Sequence, residues 1–303
     1  MKSNQTLVTI AVTLLLLACC THSASQPRPV AAPTPDVAGG VASTAMPDCS
    51  LVEPDLNSVL WMQTSAEYQA LTEEIYRWGK KMLVEAAKDP GWSAATEQET
   101  TAGKSPAVIL DIDETVLDNS AYQARLLKHH ENHNDDRFQL FRDEAVSRAI
   151  NGAVDFCRFA QGQGVTVFYI TNQRASMEKV VRDNLNKLGF PIDDQVDTVL
   201  VQGEREDWNS SDKTSRRRFV SDKYRVILLF GDDLNDFVPA NGKTLQERSA
   251  LLERYRDYFG KKWFMIPNPT YGSWERSVLG KPGLPKCEQI RIKNEALRTD
   301  EKQ

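Results

Sequence analysis

Five short apolar runs mark the middle and C-terminal parts of the chain. They read AVILDID (107–113), VTVFYIT (165–171), TVLVQG (198–203), RVILLFG (225–231) and KWFMIP (262–267). Their apolar residues are consecutive instead of alternating with polar ones, which is typical of strands that helices cover on both faces. The runs therefore predict five buried β-strands.

Segments with the period of an amphipathic helix separate these runs. Two examples are SMEKVVRDNLNKLGF (176–190) and LQERSALLERYRDYFG (245–260). A longer helical pattern lies between Asp55 and Asp89 and ends at Pro90-Gly91, so we expect a pair of N-terminal helices packed on the main body. Strands that alternate with helices predict an α/β fold with a doubly wound, mainly parallel sheet.

Acidic and polar side chains follow three of the predicted strands at the point where each strand ends. In chain order they are Asp111, Asp113, Thr171, Asn172, Asp232, Asp233 and Asp236. The carboxyl ends of parallel strands meet at one edge of a sheet, and ligands bind beyond that edge. The sequence thus predicts one site that three strands build together.

The carboxylates after the first run have three interpretations: a solvated strand end, a calcium loop or a catalytic site. An EF-hand loop starting at Asp111 would need Gly and Glu where the chain has Val116 and Tyr122, which excludes the calcium loop. A solvated strand end does not explain why acidic residues also follow another strand. A carboxylate that attacks phosphorus, with a divalent cation to offset the charge, explains both groups. Glu114 is interpreted as a bystander.

The composition narrows the class of partner. The chain has 303 residues, of which 41% are hydrophobic and 26% are charged, with a net charge of -5 at pH 7. This is typical of a soluble globular protein with one large domain and additions. The mildly acidic balance argues against a nucleic-acid polymer as partner, because clustered Lys and Arg hold phosphate backbones. No Gly-rich phosphate loop occurs, which excludes the P-loop enzymes.

The N-terminus is predicted to be an export signal. Lys2 precedes an apolar segment, Leu7 to Ala18, that is too short to span a bilayer. The stretch Leu16-Leu17-Ala18-Cys19 resembles a bacterial lipobox, in which cleavage before Cys19 leaves this thiol to carry lipid. The alternative is a plain signal peptide cut near Ser23 or Ser25.

The residues that follow predict a membrane-tethered domain. Cys20 is not the Asp that tends to keep such lipoproteins in the inner membrane, which favours attachment to the outer membrane. We therefore expect an exported protein that is either an outer-membrane lipoprotein or periplasmic. Residues 21–46 are rich in Pro, Ala, Ser and Gly and are predicted to form a flexible tether. The organisation is then a signal peptide (1–18), a lipid anchor and tether (19–46) and one folded domain (47–303).

Export permits disulfides. Cys49 and Cys287 flank the folded region, and we predict that they pair, although the sequence alone does not fix the connectivity. Cys157 lies in AVDFCRFA, which has an amphipathic helical pattern, and is predicted to be a buried free thiol.

Several motifs resemble one known group of enzymes. Asp111-Ile112-Asp113-Glu114-Thr115 resembles the D-x-D-x-T signature of the haloacid dehalogenase (HAD) superfamily of phosphatases, and Thr171-Asn172 and GDDLND (231–236) are similar to its second and fourth motifs. DETVLDNSAYQ (113–123), FYITNQ (168–173) and PNPTYGSWE (267–275) are similar to the bacterial class C non-specific acid phosphatases. That family includes outer-membrane lipoproteins with 5'-nucleotidase activity. The resemblance extends from about Leu60 to Glu275.

The resemblance implies a magnesium-dependent acid phosphatase that hydrolyses nucleoside monophosphates and other small phosphomonoesters through an aspartyl phosphate. Asp111 would be the nucleophile, and Asp113 the acid/base, its backbone carbonyl also facing the metal. Side chains of Asp111 and Asp232 would bind Mg²⁺, and Asp236 would hold a metal-bound water. Thr171 and Asn172 would bind phosphate oxygens.

A lysine and four aromatic residues complete the predicted site. Lys213, in SSDKTSRRR, would be the third-motif lysine, with a solvated helix face as the alternative; Arg216, Arg217 and Arg218 are predicted to lie on such a face. Phe138 and Phe141 stand where relatives usually carry tryptophans that shape the leaving-group pocket, and Gln173 stands where Arg is common, which removes a possible positive contact. Tyr271 is predicted to stack on a flat leaving group, and Trp274 to pack.

The histidines do not indicate a catalytic site of their own. His129, His130 and His133 lie in KHHENHNDD, which lacks the order H-E-x-x-H, and no R-H-G occurs. We interpret this stretch as part of a small helical cap between the first and second motifs, with a weak metal site as the alternative.

The sequence leaves two other functions open. One is a phosphotransferase that uses the same site, and the other is a surface binding lipoprotein whose phosphatase site is vestigial. The expected partner is a small phosphomonoester, and the lipid anchor would be the only contact with a membrane. The oligomeric state is open, with a dimer among the options.

Overall fold

A computed structural model describes residues 53–193 and 195–300 of the chain. Its strands, in chain order, are β1 (Pro106–Leu110), β2 (Leu117–Asp118), β3 (Arg148–Ala149), β4 (Thr166–Arg174), β5 (Val199–Gln202), β6 (Arg225–Gly231) and β7 (Trp263–Met265). The five predicted strands are confirmed, and they form a parallel sheet in the order β5-β4-β1-β6-β7. The α/β prediction is therefore confirmed.

Helices connect these strands and surround the sheet. They are α1 (Leu56–Thr64), α2 (Ala66–Lys88), α3 (Ser120–His129), α4 (Asp135–Asp143), α5 (Ala153–Gly162), α6 (Glu178–Leu188), α7 (Thr214–Lys223), α8 (Leu245–Arg254), α9 (Ser273–Leu279) and α10 (Lys286–Ala296). The predicted N-terminal helix pair is α1 and α2. Ser65 separates them and caps α2, because its side chain accepts a hydrogen bond from the Tyr68 amide at 3.1 Å.

The strands are buried on both faces, as the consecutive apolar residues predict. Val108 and Leu110 belong to one apolar cluster, whereas Ala107 and Ile109 belong to a second cluster on the other face. Helix α2 packs on the first of these clusters, where Tyr76 stacks on Phe230 with ring centroids 5.3 Å apart. The Tyr76 hydroxyl also donates to the carbonyl of Thr115 at 2.7 Å, so α2 supports the loop that follows β1.

A small cap lies between β1 and β4 in the chain, as predicted. It contains α3, α4 and the antiparallel pair of β2 and β3. Tyr122, Leu126 and Phe141 form its apolar centre, with Phe138 packed against them. His129 ends α3, and His133 contacts the edge of the Tyr122 ring, which agrees with a cap position for the histidine-rich stretch.

Some predictions concern residues outside the described ranges, namely the signal peptide, Cys19, Cys20, the tether and Cys49. Cys287, in α10, is disulfide-bonded, but the predicted pairing with Cys49 stays a prediction. Cys157 is a fully buried free thiol, as predicted. Within residues 53–193 and 195–300, no helix combines the length and apolar character that a membrane span needs.

Candidate active site

Asp111 and Lys213 meet at the carboxyl edge of the sheet. Asp111 follows β1, and its backbone amide donates to the Phe230 carbonyl of β6 at 3.0 Å, which fixes its position relative to both strands. Lys213 directly precedes α7, in the N-cap position, and is only 3% exposed, so the alternative of a solvated face is excluded. Its Nζ donates to Asp111, and to Asp236 Oδ1 at 2.6 Å. Lys213 thus joins the residues that follow β1 and β6.

Three carboxylates form the centre of the site. Oxygens of Asp111, Asp232 and Asp236 lie within 4.8 Å of one another. Burial raises the pKa of Asp111 to about 7, although Lys213 opposes the shift. Burial likewise raises the pKa of Asp232, and the charges of Asp236 and Asp111 raise it further. One lysine therefore leaves the cluster with excess negative charge.

Asp113 lies beside this cluster and accepts hydrogen bonds on both carboxylate oxygens. Asn119 Nδ2 donates to Oδ1 at 2.7 Å, and Gln173 Nε2 lies 2.8 Å from Oδ1 and 2.9 Å from Oδ2. The Thr171 hydroxyl donates to Oδ2 at 3.2 Å. Thr171 is fully buried, so its hydroxyl serves Asp113 here, and its predicted contact with phosphate stays a prediction.

A buried polar network in the cap supports Asn119. Asn119 Oδ1 accepts from Arg142 Nη1 at 3.0 Å and from the Ser147 hydroxyl at 2.7 Å. Arg142 is 3% exposed, and its Nη1 lies 3.7 Å from Asp113 Oδ1. The cap therefore supplies both an oriented amide and a positive charge next to Asp113.

The prediction of a solvated arginine face on α7 is correct for Arg218 but wrong for Arg216 and Arg217, which are fully buried. Arg216 donates to the Thr171 carbonyl and, through Nη2, to Asn172 Oδ1 at 2.7 Å. Arg217 donates to the Asp236 carbonyl at 3.0 Å and pairs with Glu97 at 2.7 Å. These guanidinium groups satisfy carbonyls of the site loops, and this explains their burial.

The interpretation of Glu114 as a bystander is wrong. Glu114 is fully buried and has a positive φ of 57°, which is uncommon for a residue other than glycine. Its Oε1 accepts from the Asn119 amide at 2.8 Å, and its Oε2 accepts from the Tyr271 hydroxyl. Burial raises its pKa well above the ordinary value, with a further contribution from Asp113. Glu114 thus joins the loop after β1 to the segment that contains Tyr271.

That segment, residues 267–275, also holds Asp232 in place. Asn268 Nδ2 donates to Asp232 Oδ2 at 2.8 Å, and the Thr115 hydroxyl lies 3.3 Å from Oδ1. Asp236 accepts the Asp233 amide on Oδ2 at 2.9 Å, while its Oδ1 accepts from Lys213. The side chains of Asp232 and Asp236 are therefore each fixed by neutral or positive donors.

A cleft of about 920 Å³ opens above these carboxylates. Asp111, Asp113, Asn172, Lys213 and Asp232 line its floor, and Phe138 of the cap and Tyr271 line its walls. Phe141 does not line it, because this side chain is 1% exposed inside the cap; Phe138 is the α4 aromatic that faces the cleft. Trp274 is 38% exposed, and its Nε1 donates to the Tyr271 carbonyl at 3.3 Å, so its predicted packing is against this loop at the surface.

Residues 38–274, well over half of the chain, match the model of the family described as HAD superfamily, subfamily IIIB (Acid phosphatase). The chain belongs to this family. A solved class C acid phosphatase from Bacillus anthracis is 30% identical, covers 83% of this chain and 100% of its own, and superposes with a TM-score of 0.72. The crystal structure of the Bacillus anthracis class C acid phosphatase with tungstate bound is 29% identical, covers 82% of this chain and 98% of its own, and has the same TM-score of 0.72.

The acid phosphatase site has the donor set of a divalent metal site. HAD phosphatases generally use a divalent metal, and the carboxylate oxygens of Asp111, Asp232 and Asp236 are hard ligands placed close together. The raised pKa values of Asp111 and Asp232 show that the protein alone does not neutralise this charge. The residues therefore fit a bound cation.

Metal removal should make the stability of this phosphatase depend on pH. Because the pKa of Asp111 is raised to about 7, its ionisation is less favourable in the folded than in the unfolded chain. Its contribution to the free energy of unfolding is therefore fully present at low pH and is lost as the pH rises to about 7. We expect the melting temperature of EDTA-treated protein to fall between about pH 4 and 7 relative to that of Asp111→Asn, which lacks this carboxyl group.

A bound divalent cation should reverse this loss. At about 100 times its dissociation constant, a ligand that binds only the folded state stabilises it by about 2.7 kcal/mol. Melting curves at neutral pH with EDTA and with excess Mg²⁺ measure this effect directly. Equal pH dependence in the metal-free wild type and in Asp111→Asn would contradict the assignment.

The contact between Tyr271 and Glu114 should contribute to stability. Tyr271→Phe keeps the ring but removes a donor from a buried carboxyl group, so we expect a loss of about 1–3 kcal/mol in the free energy of unfolding. Tyr255→Phe is the matched control, since the Tyr255 ring packs on Trp263 and no hydrogen bond of its hydroxyl is seen within the described residues. Urea unfolding of both variants measures the difference; equal stabilities would contradict the role of this contact.

Proposed function

We propose that this acid phosphatase is a magnesium-dependent phosphomonoesterase that forms an aspartyl phosphate on Asp111. One observation carries the proposal: Asp111 contacts Lys213 and lies within 4.8 Å of the Asp232 and Asp236 carboxylates, at the floor of an open cleft. Asp113, two residues away, has a second carboxyl group at the same floor. A nucleophile and an acid/base are thus side by side.

The residues suggest how the two steps proceed. Asp111 attacks phosphorus, the ester P–O bond breaks, and Asp113 gives its proton to the leaving oxygen. Water then attacks the phosphorus of the aspartyl phosphate, Asp113 takes a proton from it, and Asp111 is released with inorganic phosphate. Lys213 and the Asn172 amide face the cleft and offset charge on the phosphoryl oxygens.

Magnesium, when bound by Asp111 and Asp232 with the Asp113 carbonyl, would supply positive charge that offsets the phosphate and the carboxylates. Asp236 would hold a metal-bound water, since its oxygens accept from Lys213 and from the Asp233 amide and are therefore less free to bind the metal directly. A related class C acid phosphatase has been solved with tungstate, a tetrahedral oxyanion like phosphate. That relative binds an oxyanion, which supports an oxyanion as a ligand of this chain.

The cleft suggests the class of leaving group. Tyr271 and Phe138 line its walls, and aromatic faces bind flat rings without much sequence preference. Nucleoside monophosphates and other small phosphate esters are therefore the proposed substrates.

A phosphate-release screen tests this function. We expect hydrolysis of nucleoside 5'-monophosphates and small sugar phosphates with Mg²⁺, and its loss with EDTA. Bis(p-nitrophenyl) phosphate, a diester, is the matched control and should not be hydrolysed. Activity that is unchanged by EDTA, or that is confined to the diester, would contradict the proposal.

We also propose that the domain is exported and lipid-anchored through Cys19. The support is the apolar segment Leu7 to Ala18 and the lipobox-like residues that end at Cys19. In expressing cells, Cys19→Ala should abolish labelling by radioactive palmitate, while Cys20→Ala should retain it. A mature N-terminus at Ser23 or Ser25 in the wild type would contradict the anchor.

A further inference from the structure

Strand β4 extends beyond the end of its neighbour β1 and brings two side chains to Asp113. The last residue of β1, Leu110, pairs with Tyr169, whereas β4 continues to Arg174. Along this extension Thr171 and Gln173 are buried and the residues between and after them are exposed. Because alternate residues of a strand share a face, Thr171 and Gln173 both face Asp113.

Gln173 makes an unusual set of hydrogen bonds. Its Nε2 lies 2.8 Å and 2.9 Å from the two oxygens of Asp113, so a single nitrogen contacts both. The side chain is 5% exposed, yet its Oε1 is buried without a hydrogen-bond partner among the described residues. A buried amide with a purely structural role usually has both ends satisfied. The Gln173 acceptor has no partner within residues 53–193 and 195–300, while its donor contacts Asp113.

We propose that Gln173 is a positioning residue that orients the Asp113 carboxyl group for proton transfer to the leaving group. Gln173 contacts both oxygens from β4, and Asn119 contacts Oδ1 from the cap, so the carboxyl group is held by two separate elements. Proton transfer needs the acid within hydrogen-bond reach of the leaving oxygen, and small displacements reduce the rate strongly. The inference rests on the proposed role of Asp113 as the acid/base.

The choice of leaving group distinguishes a positioning role of Gln173 from a purely structural role. A p-nitrophenolate leaves readily without a proton, whereas an alkoxide needs one as the P–O bond breaks. Misplacing Asp113 should therefore slow the hydrolysis of alkyl phosphates more than that of p-nitrophenyl phosphate. The ratio of kcat/KM for the two esters does not depend on the fraction of active protein, so it remains informative for a variant that folds poorly.

We would measure this ratio, with Mg²⁺, for wild type, Gln173→Met and Gln173→Ala. Methionine keeps the volume of the side chain and removes its donor. For Gln173→Met we expect glycerol phosphate hydrolysis to fall on the order of 10-fold or more, and p-nitrophenyl phosphate hydrolysis to fall less than about 3-fold. Gln173→Ala should change the ratio in the same direction.

Gln98→Met is the matched control. The Gln98 amide donates to the carbonyls of Ser221 and Tyr224, at 2.6 and 3.2 Å, and does not contact Asp113. Loss of the Gln98 amide should slow the hydrolysis of both esters by the same factor. An unchanged ratio in both Gln173 variants would overturn the inference.

Asp113→Asn separates the inference from the proposed function. It should give the largest preference for p-nitrophenyl phosphate, and adding Gln173→Met to it should change the ratio no further. If Asp113→Asn shows no such preference, the proposed role of Asp113 is wrong and the inference fails with it. If Asp113→Asn shows the preference and Gln173→Met does not, only the inference fails. A further change in the double variant would mean that Gln173 acts apart from Asp113.

Discussion

Replacing Asp111 by Asn is expected to reduce turnover by at least about 10⁴-fold, the scale seen when a covalent nucleophile is removed. The substitution keeps the shape of the side chain but removes the oxygen charge that would attack phosphorus. It also removes one of the three carboxylates of the cluster, so magnesium should bind more weakly. Steady-state phosphate release at saturating substrate and high Mg²⁺ measures the chemical loss apart from the loss of metal.

The folded state of Asp111→Asn should be retained. Burial already disfavours the ionised form of Asp111, as its raised pKa shows, so a neutral residue suits this position. Asp222→Asn is the matched control, because Asp222 is exposed on α7 and should leave both turnover and stability unchanged. Retained hydrolysis in Asp111→Asn would contradict its role as nucleophile.

Replacing Lys213 by Met is expected to reduce both activity and stability. Loss of one preorganised charge at the phosphoryl group costs roughly 10²–10³-fold in kcat. The same change leaves Asp111 and Asp236 without their buried partner, and breaking a buried ion pair from one side destabilises by about 3–5 kcal/mol. Excess Mg²⁺ should restore part of the stability and little of the activity.

A second substitution separates these two effects. Adding Asp236→Asn to Lys213→Met removes one of the unpaired carboxylates, so the melting temperature should recover while kcat stays low. Arg218→Met, an exposed neighbour on α7, is the control and should change neither property. Full activity in Lys213→Met, measured on correctly folded protein, would mean that the lysine only balances charge.

The strands and the edge that holds the site could be predicted because each depends on a local pattern. Consecutive apolar residues identified β1, β4 and β6, and the rule for parallel sheets then brought Asp111 and Asp232 together from distant parts of the chain. Lys213 does not follow a strand, so only the family resemblance identified it.

The residues that support the site could not be predicted in the same way. From the sequence, Gln173 indicates only the loss of a positive contact, because its hydrogen bond to Asp113 depends on how far β4 extends past β1. Asn119 and Asn268 are short amides of a kind common in loops, and neither has a periodic or charge signal. They became visible only when the tertiary fold placed them beside Asp113 and Asp232.

The burial of Glu114 and that of Arg216 and Arg217 contradict the predictions, and in both cases the neighbouring residues explain the burial. Glu114 lies between two apolar residues, Ile112 and Val116, and both are fully buried in the structure, so the carboxyl group follows them into the interior, where hydrogen bonds satisfy it. Arg216 and Arg217 follow Lys213 within one helical turn, so a helix that buries Lys213 at its N-terminus also brings them close to the site. Rows of charge are usually solvated, and here tertiary hydrogen bonds override that tendency.

Chemical trapping tests the proposed covalent bond between Asp111 and phosphate most directly. Asp113→Asn would be mixed with p-nitrophenyl phosphate and Mg²⁺, quenched in acid and reduced with borohydride, which converts an aspartyl phosphate to homoserine. Slow hydrolysis of the intermediate in this variant favours its accumulation. We predict homoserine at position 111 by peptide mass spectrometry, and none in Asp111→Asn. An unmodified Asp111 under conditions that release p-nitrophenolate, or homoserine at another aspartate, would contradict the account.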